Sequence, residues 1–401
     1  MTSRLESKAF AKRIRTFDVM LKPRGPICNL DCEYCYYLEK ESLYPNSDNR
    51  MTDDVLEDFI QQYIQSNARS SITFAWQGGE PTLMGLDFFQ KAVDLQKKYA
   101  QINTHIENCL QTNGTLLNDE WCQFFKQNNF LIGISIDGPA AYHDIYRKDK
   151  GGKPSSERVM QGLMLLKKHG VEFNILASVH AGNSKYPLEI YRFFRDDLKA
   201  KYIQFIPIVE LDNKAGEQKG NKVTERSVNA EMLGDFLIAI FDEWVRYDVG
   251  EIFVQIFDVA LGKWLGLPGG LCVFDETCGR SLAMEHNGDL YSCDHFVEPN
   301  YRLGNIIETD IIQLIDSQKQ KGFGYAKLES LPKYCMDCEV RFACNGGCPK
   351  NRIRQAPDGD YGLNYLCKGY RAFFNHIDQP MKTMTELIRS KRQPSEIMKF
   401  G

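Results

Sequence analysis

The sequence predicts an α/β protein, in which a partial (β/α)6 barrel of the TIM-like type is followed by a smaller cysteine-rich domain. Three observations support this prediction. Apolar, β-prone runs alternate with helical periodicity in the N-terminal half, 401 residues exceed the usual size of a single core, and eight of the thirteen cysteines lie near the C-terminus. We therefore expect an extension at 1–16, a barrel with its closing helix at 17–266, a second domain at 267–375 and a tail at 376–401.

The elements of the barrel follow one another along the chain. The predicted strands occupy 17–22, 72–76, 107–110, 131–136, 172–179 and 202–209. The clearest helix begins after Thr52, a favourable N-cap residue, and Asp53 and Asp54 suit the positive end of the helix dipole. A polar segment at 210–227 predicts a surface loop or lid, and an amphipathic stretch at 232–244 predicts a helix that closes the open side of the barrel.

Composition argues against several classes of function. The formal net charge is −4 and the basic residues are interspersed with acids, so we expect no nucleic-acid partner. The N-terminal residues are too charged for a signal peptide and no apolar run approaches a membrane span, so we expect a cytoplasmic protein without a membrane partner. In a reducing compartment, thirteen cysteines indicate metal or catalytic use instead of disulfides.

A cysteine triplet follows the first predicted strand, at the rim where barrel enzymes place their chemistry. Cys28, Cys32 and Cys35 have three and then two residues between them. Three thiolates can hold a four-iron cluster and leave one iron open to a ligand that is not protein. Zinc is an alternative, but structural zinc normally takes four protein ligands and no fourth Cys or His is near in sequence. A chance group of buried thiols is the other alternative.

Polar motifs follow the next three predicted strands. They are Gln77-Gly78-Gly79-Glu80, Gln111-Thr112-Asn113 and Ser135-Ile136-Asp137. Paired glycines let the backbone approach a ligand closely. Each motif is also compatible with a plain turn, because Asn-Gly and Asp-Gly-Pro are common turn formers. Since all three strand ends meet at one rim, we favour a polar ligand site there.

Eight further cysteines follow the expected domain boundary. They are Cys272, Cys278, Cys293, Cys335, Cys338, Cys344, Cys348 and Cys367, enough for two sets of four ligands. An Asn-Gly pair at 287–288, inside an alternating run, predicts a β-hairpin. The block from Cys335 to Cys348 is also compatible with a zinc ribbon, but the N-terminal triplet makes iron the better interpretation. We expect Cys109 and Cys122 to be buried structural thiols.

These motifs together resemble the radical S-adenosylmethionine (SAM) enzymes that carry a C-terminal SPASM domain. Over roughly residues 17–375 the resemblance is greatest to the anaerobic sulfatase-maturating enzymes. The shared motifs appear here as Cys32 through Tyr37, Trp76 through Leu83, Leu110 through Gly114, Asp137 through Pro139, and Cys293-Asp294. The resemblance implies oxidation of a Cys or Ser side chain in a sulfatase to Cα-formylglycine, after an adenosyl radical removes a hydrogen atom from Cβ.

The resemblance also implies roles for individual residues, with three [4Fe-4S] clusters and SAM as cofactors. Cys28, Cys32 and Cys35 would bind the SAM cluster; Cys272, Cys278, Cys293 and Cys348 auxiliary cluster I; and Cys335, Cys338, Cys344 and Cys367 auxiliary cluster II. Contacts to SAM are implied for Tyr34, Gly78, Gly79, Glu80, Asn113, Ser135 and Asp137, and contacts to the peptide for Tyr37, Gln77 and Gln111. Tyr37 has rim packing as its alternative role.

Asp294 is the expected general base, because it follows the implied cluster ligand Cys293 and the reaction needs a base beside an electron acceptor. A hydrogen-bonded turn aspartate is its alternative role. The expected partners are a polypeptide substrate and a low-potential electron donor such as flavodoxin or ferredoxin. Two other functions stay open: a radical SAM/SPASM maturase that crosslinks or epimerises a ribosomally made peptide, and a non-catalytic iron-sulfur or zinc scaffold.

Overall fold

A mixed sheet of ten strands forms the centre of the computed structural model, which describes residues 16–67, 71–212 and 220–400. Six parallel strands pair in chain order: β1 Asp18–Lys22, β2 Ser71–Trp76, β3 His105–Thr112, β4 Phe130–Ser135, β5 Phe173–Val179 and β6 Tyr202–Pro207. All six predicted strands are confirmed, with ends within two residues of those expected. The sheet is open, since β1 and β6 have other strands on their far sides, and the barrel is therefore partial, as predicted.

Helices cover the outside of these strands. They are α1 Asp53–Ser66, α2 Leu86–Tyr99, α3 Asp119–Gln127, α4 Ala140–His143, α5 Ser156–Lys168, α6 Pro187–Arg192, α7 Ala230–Tyr247 and α8 Gln255–Trp264, with the short strand β7 Phe253–Val254 before α8. Helix α1 begins as predicted after Thr52, whose side chain accepts a hydrogen bond from the Val55 N–H. Its apolar positions are spaced for one helix face, and that face is buried against the sheet.

The C-terminal part contains three strands of the same sheet and several short elements. They are β8 Ser281–Glu285, β9 Asp289–Tyr291, β10 Arg302–Asn305, α9 Ile311–Ile315, α10 Gln318–Glu329, α11 Lys333–Met336, α12 Arg341–Cys344, β11 Arg354–Gln355, β12 Tyr361–Leu363, α13 Cys367–His376 and α14 Asp378–Arg389. The predicted hairpin is confirmed, because β8 and β9 pair antiparallel around Asn287 and Gly288. Strand β8 also pairs in parallel with β1, which brings Lys22 opposite Glu285 and extends the barrel sheet.

Helix α7, predicted at 232–244, packs between the barrel and the C-terminal helices. The ring of Phe236 lies 5.2 Å from that of Phe205 on β6. On its other side, α7 contacts α13, where a Cβ on Gly369 would clash with the carbonyl oxygen of Ala230. Because the two helices meet at glycine, their backbones lie close together.

Three predicted segments differ in how far the structure describes them. Residues 1–15 of the extension and 213–219 of the predicted lid lie outside the described residues. The segment set apart as a tail forms α14, and its Met381 and Met384 are fully buried in the main core. Among the described residues, no helix is both long and apolar enough to span a membrane.

Candidate active site

The cysteine triplet lies in the loop after β1, at the C-terminal rim of the barrel. Two backbone hydrogen bonds seat this loop on the motif that follows β2: the Gly79 N–H donates to the Gly25 carbonyl at 2.8 Å, and the Glu80 N–H to the Ile27 carbonyl at 2.9 Å. A Cβ on Gly79 would clash with the Ile27 carbonyl, so this approach requires glycine. The backbone at the paired glycines therefore lies close to the cysteine loop.

The surroundings of the triplet suit an iron-sulfur cluster. Its three cysteines are free thiols, and burial raises the pKa of Cys28 and of Cys32 to about 12. Such thiols are neutral at pH 7 unless a metal displaces their protons. The Leu30 N–H lies 3.4 Å and the Asn113 amide nitrogen 3.7 Å from the Cys28 sulfur. Donors directed at sulfur are typical of cluster thiolates, whose negative charge they stabilise.

Glu80 joins the rims of β2 and β3. Its carboxylate is fully buried and accepts hydrogen bonds from the backbone and hydroxyl of Thr82, from the Thr112 hydroxyl at 2.8 Å and from the Asn113 N–H at 2.8 Å. The Asn113 side chain then donates to Asn29 in the cysteine loop at 2.9 Å. Glu80, Asn113 and the triplet, predicted from separate motifs, are therefore brought together.

Asp137 is the centre of a second buried group, two residues beyond Ser135 at the end of β4. Its carboxylate accepts hydrogen bonds from the Tyr34 hydroxyl at 2.6 Å, the Arg147 guanidinium at 2.9 Å and the Ser178 N–H at 2.8 Å. Burial alone would raise the pKa of Asp137, but Arg147, His143 and His180 together hold the pKa below its ordinary value. Arg147 was not predicted, because it follows no strand end and belongs to none of the recognised motifs.

Asp294 lies across the rim, after β9. Its carboxylate forms an ion pair with Lys22 at 2.5 Å and accepts a hydrogen bond from the Tyr36 hydroxyl at 2.5 Å. Burial alone would raise the pKa of Asp294, but Lys22, His295 and the Tyr36 hydrogen bond together lower it to about 2, with the charge of Lys22 the largest of these opposing influences. Asp294 is therefore ionised at neutral pH and has one partner on each oxygen.

The three residues implied in peptide binding belong to the same network. The Lys22 ammonium donates to the Gln77 amide at 2.9 Å and lies 4.4 Å from the centre of the Tyr37 ring. Gln77 in turn donates to Gln111. Tyr37 donates its hydroxyl hydrogen to Glu285, which is fully buried. Lys22 and Glu285 end β1 and β8 and were not predicted, since nothing in the sequence signals that these strands pair.

The C-terminal cysteines form two groups, and all of them are free thiols. Cys335, Cys338, Cys344 and Cys367 line one cavity. In the other group, burial is the main cause of the raised pKa values of Cys272, Cys278 and Cys293, and the nearby Cys348 raises each of them further. The structure thus brings together the members of each implied ligand set.

The two remaining cysteines lie apart from these groups. Cys122, on α3, is buried as predicted. Cys109 is only partly buried, so its prediction was wrong. The alternation of β3 places Cys109 on the face opposite to Asn108 and Leu110, which are buried.

Comparisons with known proteins agree with this geometry. The radical SAM superfamily matches residues 23–194, and the SPASM iron-sulfur cluster-binding domain matches residues 272–339. The chain is 49% identical over 405 residues to a serine-type anaerobic sulfatase-maturating enzyme of Bacteroides thetaiotaomicron, covering 98% of this chain and 97% of that protein. It is 38% identical over 369 residues to a serine-type enzyme of Klebsiella aerogenes, covering 91% and 86%.

A solved structure gives the same result. The chain superposes with a TM-score of 0.82 and 32% identity on the native sulfatase-maturating enzyme anSMEcpe with bound AdoMet and a Cp18Cys peptide, over 92% of this chain and 99% of that one. Sequence relatives and structure therefore agree over nearly the whole chain. This protein belongs to the anaerobic sulfatase-maturating enzymes, a family of radical SAM oxidoreductases with a SPASM domain.

Proposed function

We propose that this protein oxidises a Ser or Cys side chain of a sulfatase polypeptide to Cα-formylglycine. The observation that carries the proposal is the position of Asp294, a buried carboxylate next to Cys293 and in one network with Lys22, Tyr36 and Gln77. Oxidation to an aldehyde needs a base beside an electron acceptor, and this network supplies the base. Family membership supports the same reaction, and both relatives compared above are serine-type enzymes.

We assign three [4Fe-4S] clusters to the cysteines that the structure groups. Cys28, Cys32 and Cys35 hold the SAM cluster; Cys272, Cys278, Cys293 and Cys348 hold cluster I; and Cys335, Cys338, Cys344 and Cys367 hold cluster II. The first set belongs to the barrel at 17–266 and the other two to the SPASM domain at 267–375. SAM is assigned to the adjoining rim, with Tyr34, Gly78, Gly79, Glu80, Asn113, Ser135 and Asp137 as its contacts.

Residues of the chain then perform the remaining steps. When bound, SAM and its cluster supply a 5′-deoxyadenosyl radical that removes a hydrogen atom from Cβ, and the auxiliary clusters take up one electron. Tyr37, Gln77 and Gln111 bind the peptide beside Asp294. Asp294 accepts the hydroxyl or thiol proton, which completes the loss of two electrons and two protons and leaves an aldehyde from Ser or a thioaldehyde from Cys. Water then converts the thioaldehyde to formylglycine, and the sulfur leaves as hydrogen sulfide. Lys22 and Tyr36 hold one oxygen each and so fix the plane of the carboxylate.

We further propose that a low-potential donor such as flavodoxin or ferredoxin reduces the SAM cluster in the cytoplasm. All thirteen cysteines are free thiols, which suits a reducing compartment. Cluster chemistry of this kind also requires thiols that have not been oxidised to disulfides.

The test uses the anaerobically reconstituted protein, SAM, a reductant and a synthetic sulfatase-segment peptide with Ser or Cys at the target position. We expect a mass loss of about 2 Da from the Ser peptide and about 18 Da from the Cys peptide, with a hydrazone after treatment with a hydrazide. The matched control is the same peptide with Ala at the target, which forms no hydrazone. A 2 Da loss without hydrazone, with a new bond between two residues, would instead support the crosslinking maturase.

A further inference from the structure

Two buried cations lie between the cysteine groups of the C-terminal domain. The first is Lys327 on α10, whose exposed fraction is 1%. Its ammonium donates to the carbonyl oxygen of Cys272 at 2.7 Å and to that of Val273 at 3.0 Å. Lys327 is thus held against a residue assigned to cluster I.

The second cation, Arg352, lies against the loop that connects the two groups. Residues 345–347 link Cys344, assigned to cluster II, to Cys348, assigned to cluster I, and have φ angles of 46°, 70° and 63°. The Arg352 guanidinium donates to the carbonyl oxygens of all three loop residues, at 3.0, 3.1 and 3.4 Å. It also donates to the carbonyl oxygen of Lys327 at 2.5 Å, which links the two cations.

Neither cation has a carboxylate within ion-pair distance among the described residues; the acidic groups whose charge acts on them most strongly are cysteine thiols. Cys272, Cys278 and Cys348 face Lys327, whereas Arg352 faces members of both groups, including Cys335 and Cys344. Backbone carbonyls satisfy the N–H donors but do not neutralise the charge, and burying an unpaired cation is strongly unfavourable. The fold keeps both cations where clusters with four thiolate ligands would place negative charge.

We infer that Lys327 and Arg352 are counter-charges for the auxiliary clusters and raise their reduction potentials. One-electron reduction adds a negative charge to a cluster, and a fixed cation in a poorly polarisable interior stabilises that reduced form. The inference rests on the proposed function and its cluster assignment. A higher reduction potential would favour one step of the proposed reaction. After the Cβ hydrogen is removed, the electron left on the substrate passes more readily to cluster I, which is thereby reduced by one electron.

The test measures midpoint potentials by EPR-monitored titration of the full chain with Cys28, Cys32 and Cys35 replaced by Ala, so that only the auxiliary clusters titrate. In this background Lys327→Met removes the charge and Lys327→Arg keeps it. Lys319→Met removes an exposed lysine from the same helix as a matched control. For Lys327→Met we expect at least a tenfold lower ratio of reduced to oxidised cluster I at a fixed applied potential, equivalent to about 59 mV for one electron.

Lys327→Arg and Lys319→Met should leave this ratio unchanged, and Arg352→Gln should lower it for both clusters. An unchanged ratio in Lys327→Met at full iron content would overturn the inference, since a purely structural lysine has no effect on potential. Lys327→Met could lose cluster I altogether. In that case, a Lys327→Arg protein that keeps cluster I at the original potential supports the counter-charge role, whereas loss of cluster I from both variants overturns the inference. Absence of two auxiliary clusters in the background protein itself would contradict the proposed cluster assignment before any lysine variant is compared.

Discussion

Individual side chains at the barrel rim are positioned by buried ion pairs. Asp294 is paired with Lys22 at 2.5 Å, and Asp137 with Arg147 at 2.9 Å. In both pairs a further tyrosine hydroxyl donates to the carboxylate, Tyr36 to Asp294 and Tyr34 to Asp137. A buried ion pair is tolerated only when such additional hydrogen bonds satisfy its oxygens. The carboxylates are therefore both ionised and fixed in direction, as the proposed proton acceptor Asp294 and the proposed SAM contact Asp137 require.

Replacing Asp294 with Asn tests the proposed base. The amide keeps the shape but cannot accept the substrate proton, so formylglycine formation should fall by about 10²–10⁴-fold. Formation of 5′-deoxyadenosine should continue, because the residues assigned to SAM lie on other strands. Chromatography of 5′-deoxyadenosine and mass spectrometry of the peptide, at equal iron content, give the two rates. The matched control Tyr36→Phe removes only one hydrogen bond and should cost less, and near wild-type oxidation by Asp294→Asn would show that Asp294 is structural.

His143 gives a prediction about pH. It is 1% exposed, accepts a hydrogen bond from the Asp137 N–H at 3.3 Å, and burial lowers its pKa to about 4. In the unfolded chain the histidine has a pKa of about 6.5 and therefore binds a proton more readily than in the folded protein. The contribution of neutral His143 to the free energy of unfolding is therefore complete above pH 6.5 and is lost as the pH falls towards 4. The full contribution is about 3 kcal/mol, of which about 1 kcal/mol should be lost by pH 5.5.

Urea unfolding at pH 8 and pH 5.5 measures this effect. The free energy of unfolding of the parent protein should fall between these pH values by about 1 kcal/mol more than that of His143→Asn, which cannot be protonated. An equal fall in both proteins would mean that folding does not lower the pKa of His143.

At the scale of elements, helix packing across the expected domain boundary depends on glycine. Helices α7 and α13 meet where Gly369 approaches Ala230 and Gly234. A methyl group on Gly369 would clash with backbone, which cannot move aside as a flexible side chain can. The contact therefore fixes how the helix that begins at Cys367 rests on the barrel.

Gly369→Ala should accordingly destabilise the protein by about 1–3 kcal/mol, as overpacking typically does. The matched control is Gly262→Ala in α8, where nothing lies within 4 Å of the added methyl group. That change should be neutral or stabilise by about 0.4–1 kcal/mol, because alanine reduces the entropy of the unfolded chain. Urea denaturation of both variants gives the two values, and equal stabilities would refute the close packing of α7 on α13.

At the scale of the whole molecule, one sheet runs through both expected domains. Because β8 pairs with β1, the SPASM hairpin lies beside the strand that leads into the cysteine triplet. The same pairing places Glu285 opposite Lys22, and the turn after β9 then carries Asp294 back to the rim. The proposed base and the proposed SAM site thus come from different expected domains but share one sheet.

The proposed cluster assignment predicts about twelve irons per chain after reconstitution, four for each cluster. Replacing Cys28, Cys32 and Cys35 with Ala should lower this to about eight and abolish cleavage of SAM, because the open iron is lost. Replacing Cys109 and Cys122, which belong to none of the three ligand sets, is the matched control and should leave the iron content unchanged. Metal analysis that finds about four irons, with zinc in place of the rest, would contradict the assignment.

Local patterns in the sequence predicted most elements and many site residues. The strands, the Thr52 cap and the Asn287-Gly288 hairpin depend on periodicity and turn chemistry within a few residues, and all three are confirmed. The rim motifs could be predicted as neighbours because parallel strands end at one edge. Lys22 and Arg147 could not, since lysine and arginine carry no sign in the sequence that they will be buried.

The sequence by itself determined the fold class, the order of the strands, the cysteine loops and the family, because these follow from local pattern and residue identity. Only the tertiary structure decided that β8 joins β1, that Lys22 faces Asp294, and that Lys327 and Arg352 are buried beside the C-terminal cysteines. Tyr36 and its partner Asp294 are 258 residues apart in the chain. Such contacts depend on which strand edges and helix faces meet, and that depends on the free energy of the whole packed core, which no short stretch of sequence contains.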